Sequence, residues 1–300
     1  MLVPFRSDSV VAISLGAAMA CAACHRAAST ADAARADARA DGTGIADANA
    51  SDASPSTDAA ASDPAATAPT EPRVTITAMG DIYLPRRIAD AMASHREEGG
   101  LLWVLSAIAP VFADREIAFA DLETPLTTSF RPPGSGLVPV TGVPGVAARA
   151  LARAGLDVIQ LANNHAYDQA GDGLDETLQA LHAASVPSVG AGRTDEEAYG
   201  ATVIEREGLR VAFVAFTERT NDGPGRNANG VRVARIEEPE RALAAVTAAR
   251  EHADFVVAGV HWSRDFVRAI SDRQRQLARL LVDAGADLVV GTGPHLLQRV

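Results

Sequence analysis

Five short apolar runs in this chain each stop at a side chain able to carry charge or hold an ion. Residues 74–79 run into Gly80 and Asp81, and residues 116–120 run into Asp121 and Glu123. Residues 158–162 stop at Asn163, Asn164 and His165, residues 255–260 at His261, and residues 286–290 pass through Gly291 to His295. Apolar runs of this length, bounded by turn residues, read as strands buried on both faces. Such strands belong to sheets covered by helices, and their parallel order puts every C-terminal end on one edge. The recurrence therefore predicts an α/β fold in which five sequence-distant corners meet.

The segments between the runs fit that prediction. Helical patterns cover 101–113, interrupted by Pro110, then 147–154, 174–184 and 239–251. Ser271 and Gln274 form a capping-box signature for a helix closed by Gly285. Residues 202–205 and 209–216 flank Arg206-Glu207-Gly208, a hairpin signal, so the sheet is mixed rather than wholly parallel. The loop over 127–145 is rich in Pro and Gly and long enough to be functional. Gly171 and Gly173, just beyond His165, read as residues with backbone roles.

Ahead of this body lie two segments of different character. In residues 1–25, Arg6 precedes an apolar stretch over 10–20 that closes on small residues, the pattern of an export signal. The stretch is too short to span a membrane. Cys21 and Cys24, the only cysteines, sit at its end. Three readings follow: acylation of Cys21 as in a bacterial lipoprotein, simple cleavage after Ala18-Met19-Ala20, or haem attachment at Cys21-Ala-Ala-Cys24-His25. Residues 26–72 are Ala, Asp, Ser, Thr and Pro with Ile45 as the one bulky apolar residue, and read as a disordered tether. They hold eight acids and three arginines, which gives −5 of the chain's −11, and residues 73–300 carry −6. That balance, without a basic stripe, argues against nucleic acid as a partner.

Carboxylates, imidazoles and an amide oxygen form a ligand set suited to Zn, Mn or Fe. Taken singly the residues have plainer roles: a helix cap for Asp81, a loop acid for Glu123, turn residues for Asn163 and Asn164, structural histidines for the rest. Their joint placement is what points to a metal centre, with a carboxylate between histidines. His95, His182 and His252 fall in helical stretches and read as surface residues.

The segments MGDIYL (79–84), FADLETPL (119–126), LANNHAYDQAGDGLDETL (161–178), VHWSRDF (260–266) and GADLVVGTGPHLLQ (285–298) resemble the bacterial capsule-synthesis protein CapA family, within the metallo-dependent phosphatase-like superfamily. The resemblance covers residues 74–300. It implies a four-layer α/β/β/α sandwich and a dinuclear-type site for one or two divalent ions (Mn, Zn or Fe), with Asp81, Glu123, Asn164, His165, His261 and His295 as ligands. It implies an envelope protein that assists synthesis or export of an anionic polymer, in the family typically poly-γ-glutamate, alongside other capsule-synthesis membrane proteins. Metal-assisted hydrolysis or transfer is the enzymatic expectation, with His165 positioning substrate and Asp168 supporting it. A non-catalytic polymer-binding scaffold on the same fold is the alternative. Four departures stand out. Tyr83 occupies the place of a metallophosphatase histidine, as is usual for the CapA group, and Thr292-Gly293 stands where a further histidine is common. Asp121 replaces the usual asparagine, adding either a ligand or a charge. The chain also ends at Val300, where relatives continue with another strand, so it reads as a fragment.

Overall fold

The computed structural model describes residues 2–4, 10–15, 72–84, 86–96, 99–112, 115–128, 144–221 and 230–298. The strands ending at Asp81, Asp121, Gln160, His261 and Thr292 form where the apolar runs predict, because each run packs β-branched or aromatic side chains into a covered sheet. Sheet one has the order β1–β6: Leu2–Pro4, Val10–Leu15, Arg73–Asp81, Ile117–Asp121, Val158–Gln160 and Ser188–Val189. Within it β2 to β6 are parallel, and β1 is antiparallel to β2. Sheet two runs β12-β11-β9-β8, from Leu288–Thr292, Phe255–His261, Leu209–Thr217 and Thr202–Arg206. The first three are parallel, and β8 closes the expected hairpin antiparallel to β9. Two-residue strands β7 (Ala191–Gly192) and β10 (Arg232–Val233) make a third, minor pairing.

Side-chain alternation along β9 shows how sheet two is covered. Val211, Phe213 and Ala215 join a core with sheet one, and the Phe119 and Phe213 rings stack with centroids 5.3 Å apart. Ala212, Val214 and Phe216 face the other way, packing with α6 (Pro239–His252) and α7 (Asp272–Asp283) through Val246, Ala249, Leu277 and Leu281. The remaining helices, α1 (Arg86–Ser94), α2 (Leu101–Ser106), α3 (Pro144–Ala154) and α4 (Ala170–Ala183), contribute Ile88, Leu101, Leu105, Leu151, Leu174 and Leu181 to the core of sheet one. The architecture is α/β with mixed sheets.

Local signals held well. Ser271 Oγ accepts from Gln274 N–H at 3.2 Å while Gln274 Oε1 accepts from Ser271 N–H at 2.9 Å, which is the capping box. Helix two stops at Ser106 and resumes as a 3-10 turn over Ala109–Phe112, since Pro110 lacks the amide to continue it. The short helix α5 (Asp195–Tyr199), capped by Thr194, was not legible as a periodic pattern. Residues 2–4 and 10–15, inside the segment read as an export signal, are extended here. Cys21, Cys24, His25 and the predicted tether to residue 71 lie outside the described residues. No helix among the described residues is long and apolar enough to cross a membrane.

Candidate metal centre

Register delivers two rows of polar side chains to the C-terminal edge. In sheet one Asp81 pairs with Asp121, and Asp121 with Gln160; a register shift after Ala78 precedes the Asp81 pairing. In sheet two Thr217 pairs with His261, and His261 with Thr292. The rows face each other and bond. His261 Nδ1 donates to Asp121 Oδ2 at 2.7 Å, and Thr292 Oγ1 donates to the same oxygen at 2.7 Å. Gly293 N–H donates to Asp81 Oδ1 at 3.0 Å, and His295 Nδ1 to Asp81 Oδ2 at 2.9 Å.

Glu123 lies at the centre of this edge. Its carboxylate is 1% exposed, and neither oxygen has a hydrogen-bond partner. His165 Nε2 lies 3.6 Å and His261 Nε2 3.7 Å from Glu123 Oε1. Both rings are held from behind, since His165 Nδ1 donates to Asp168 Oδ2 at 2.6 Å much as His261 does to Asp121. A neutral imidazole that donates through Nδ1 keeps its lone pair on Nε2. Two imidazole lone pairs thus point toward one unpartnered buried carboxylate, each braced by an aspartate, as in metal sites. Ligand atoms sharing one ion at about 2.1 Å lie about 3.4 Å apart in a tetrahedral shell. The 3.6 and 3.7 Å separations of the two Nε2 atoms from Glu123 Oε1 are of that order.

Charge states agree with a centre that needs a cation. Burial, reinforced by Asp81, Asp121, Asp265 and Asp168, pushes the Glu123 carboxyl up to about 10. Burial also raises Asp81, but its hydrogen bond from His295, the nearness of His261 and the Gly293 amide outweigh that and hold it below its ordinary value. His295 is raised in turn, chiefly through Asp81. Burial raises Asp121, opposed by His261 and Thr292.

Asp81, Glu123 and His295 group closely enough to hold an ion, as do Asp81, Asp121 and His261. The predicted ligands Asp81, Glu123, His165, His261 and His295 are therefore brought together. Asn164 adjoins them; its Oδ1 is buried without a partner, and its carbonyl accepts from Asn221 N–H at 2.8 Å. Asp168 lies beside His165, with Oδ2 2.6 Å from Nδ1. His182 and His252 are exposed, and His95 stacks on Trp103 with centroids 3.5 Å apart, away from this edge. Three participants were missed. Asn163 donates from Nδ2 to Asp121 Oδ1 and to Leu122 O, both at 2.8 Å. Gln160, a lone amide inside an apolar run, donates to Asp121 Oδ2 at 3.2 Å. Thr292, read as a departure, locks Asp121.

The mouth of the centre carries strain. Phe266 and His295 both have left-handed backbone, at φ 57° and 53°, with ring centroids 5.5 Å apart. Bulky residues with positive φ concentrate at functional sites. Phe266 is 69% exposed despite being aromatic, and Arg264 and Arg268 beside it are also exposed.

Residues 75–300 match the family described as "Bacterial capsule synthesis protein PGA_cap". The chain is 29% identical over 227 residues to the "PGA biosynthesis protein CapA" of Bacillus subtilis (strain 168), covering 74% of this chain and 57% of that protein. It is 27% identical over 241 residues to the "Capsule biosynthesis protein CapA" of Bacillus anthracis, covering 75% and 55% respectively. Over 148 residues it is 28% identical to a "Probable polyglutamine synthesis accessory protein" of Mycobacterium tuberculosis, covering 46% of this chain and 39% of that protein. The chain spans little more than half the length of the two Bacillus relatives.

Proposed function

Because the chain belongs to the bacterial capsule synthesis protein family, we propose that it assists synthesis or export of an anionic surface polymer of the poly-γ-glutamate type, through a metal centre built on Glu123. The names of the two Bacillus relatives, a PGA biosynthesis protein and a capsule biosynthesis protein, support the polymer class. The observation that carries the metal centre is the Glu123 carboxylate, buried, without hydrogen-bond partners and faced by two braced imidazoles. The packing of two sheets, with α6 and α7 on the far side of sheet two, supports the four-layer metallophosphatase-like arrangement.

Glu123, His165, His261, Asp81 and His295 would hold a divalent ion, Mn, Zn or Fe, with the Asn164 amide oxygen as a further ligand. The chemistry such an ion supplies is Lewis acidity toward an amide or phosphoester oxygen. Asp168 would fix the His165 ring so that Nε2 stays turned toward Glu123, where it can bind the ion. Arg264 and Arg268 offer charge to a polyanion, and Phe266 an apolar wall to the methylenes between its carboxylates. Residues 1–25 direct export, with a lipid on Cys21 and residues 26–72 as tether to the envelope. Other capsule-synthesis membrane proteins are the expected neighbours.

Purified full chain reconstituted with Mn, Zn or Fe is expected to retain about one ion per chain and to cleave a γ-glutamyl amide or a model phosphodiester. His165→Ala is expected to lower retention at least tenfold. No stoichiometric ion in the parent protein, with no change in His165→Ala, overturns the metal centre. A retained ion with polymer binding but no cleavage supports the scaffold role instead.

A further inference from the structure

We propose that Asp121 is a positioning residue that acts through His261, and is not the ligand of a second ion. The proposal rests on the Glu123 metal-centre reading and goes beyond it. Asp121, Asp81 and His261 lie close enough to be taken for a second ion site. Their bonding says otherwise. The His261 atom on that side is Nδ1, which stands 3.9 Å from Asp81 Oδ1 and is already committed to Asp121 Oδ2 at 2.7 Å.

Asp121 itself is fully buried and surrounded by donors. Oδ2 accepts from His261 Nδ1, from Thr292 Oγ1 at 2.7 Å and from Gln160 Nε2 at 3.2 Å, while Oδ1 accepts from Asn163 Nδ2 at 2.8 Å. An ion bound here would have to break the short histidine bond and compete with the other three donors. Left as it stands, the carboxylate fixes the His261 ring and its tautomer, and sends the Nε2 lone pair toward Glu123 Oε1 at 3.7 Å. Thr292 then has a definite role where a further histidine is common. Its hydroxyl holds the positioning carboxylate, and the chain keeps one ion site.

Cobalt(II) binding to the full chain, followed by visible absorption, tests this. Asp121→Ala is expected to weaken cobalt binding tenfold or more, within the range typical for outer-shell partners, and to shift the visible bands. Asp121→Asn, close in size and able to accept one hydrogen bond, should lose less. Thr292→Val, which deletes one donor and little volume, should weaken binding about threefold and keeps the test open if Asp121→Ala fails to fold. In the His261→Ala background, Asp121→Asn should weaken binding no further, since the residue it acts through is gone. Additive losses in that cycle, a second stoichiometric cobalt lost on Asp121→Asn, or unchanged affinity and spectrum in both Asp121→Asn and Thr292→Val would each overturn the proposal. Parent protein that binds no cobalt overturns the metal centre itself, which is a separate failure.

Discussion

Glu123→Gln is expected to stabilise the metal-free protein by about 3 kcal/mol at pH 7 and to abolish tight binding of divalent metal. The two effects have one cause. Burial and neighbouring carboxylates put the Glu123 pKa at about 10, against an ordinary value of 4.5. A carboxyl raised in the folded state contributes its full stability below the unfolded value, where both states are protonated. That contribution is lost as pH rises, because the unfolded chain ionises first and gains relative to the fold. At about 1.4 kcal/mol per unit, the span from 4.5 to 7 is worth about 3 kcal/mol. Glutamine keeps the shape, carries no charge to desolvate, and can donate to Nε2 of His165 or His261.

Denaturation of chelator-treated protein at pH 5 and pH 7.5 checks the sign. The gap between Gln variant and parent should be small at pH 5 and several-fold larger at pH 7.5. At pH 7, Mn or Zn at a thousand times its dissociation constant should then reverse the order, since it adds about 4.1 kcal/mol to a protein that binds it, against a gap of about 3 kcal/mol. A pH-independent gap, or equal metal stabilisation in both proteins, would remove Glu123 from the centre.

What could be read in the sequence was whatever depends on local period. The strand ends were legible because apolar runs stop sharply at Asp81, Asp121, His165, His261 and His295. The capping box was legible because its partners, Ser271 and Gln274, are three residues apart. Helix α4 begins at Ala170 rather than 174, with Gly171 and Gly173 inside it. A Cβ on Gly173 would stand 2.4 Å from the Gln169 side chain, so the backbone role of that glycine is close packing inside the helix. Two-residue strands such as β7 and β10 carry no period to read. The roles of Gln160, Asn163 and Thr292 were hidden for another reason. Each is defined by Asp121, at separations of 39, 42 and 171 residues, and such pairing exists only in the fold. In sequence Glu123 read as a ligand, while Asp121 was left as either a ligand or a charge. Donors around Asp121, and the lack of any at Glu123, tell them apart.

Gly293→Ala is expected to cost more than 3 kcal/mol and to impair metal binding, while Gly208→Ala costs about 1 kcal/mol and leaves binding intact. The two glycines share a left-handed backbone, with φ 94° at Gly293 and 76° at Gly208, so both substitutions pay the strain of a Cβ there. They differ in surroundings. A Cβ on Gly208, in the hairpin turn, meets nothing within 4 Å. A Cβ on Gly293 would stand 2.2 Å from the Trp262 carbonyl and 2.9 Å from His261 Nε2. The carbonyl belongs to backbone and cannot swing aside, so the strand end must move. Movement there breaks the Gly293 N–H bond to Asp81 Oδ1 and turns the His261 ring away from Glu123. Fold and centre therefore fail together at Gly293, whereas at Gly208 only strain is felt. Measuring unfolding and cobalt binding for both variants separates the cases. Equal costs at the two glycines, or a Gly293→Ala protein with parental cobalt affinity, would show that the space beside His261 Nε2 is not reserved for a ligand.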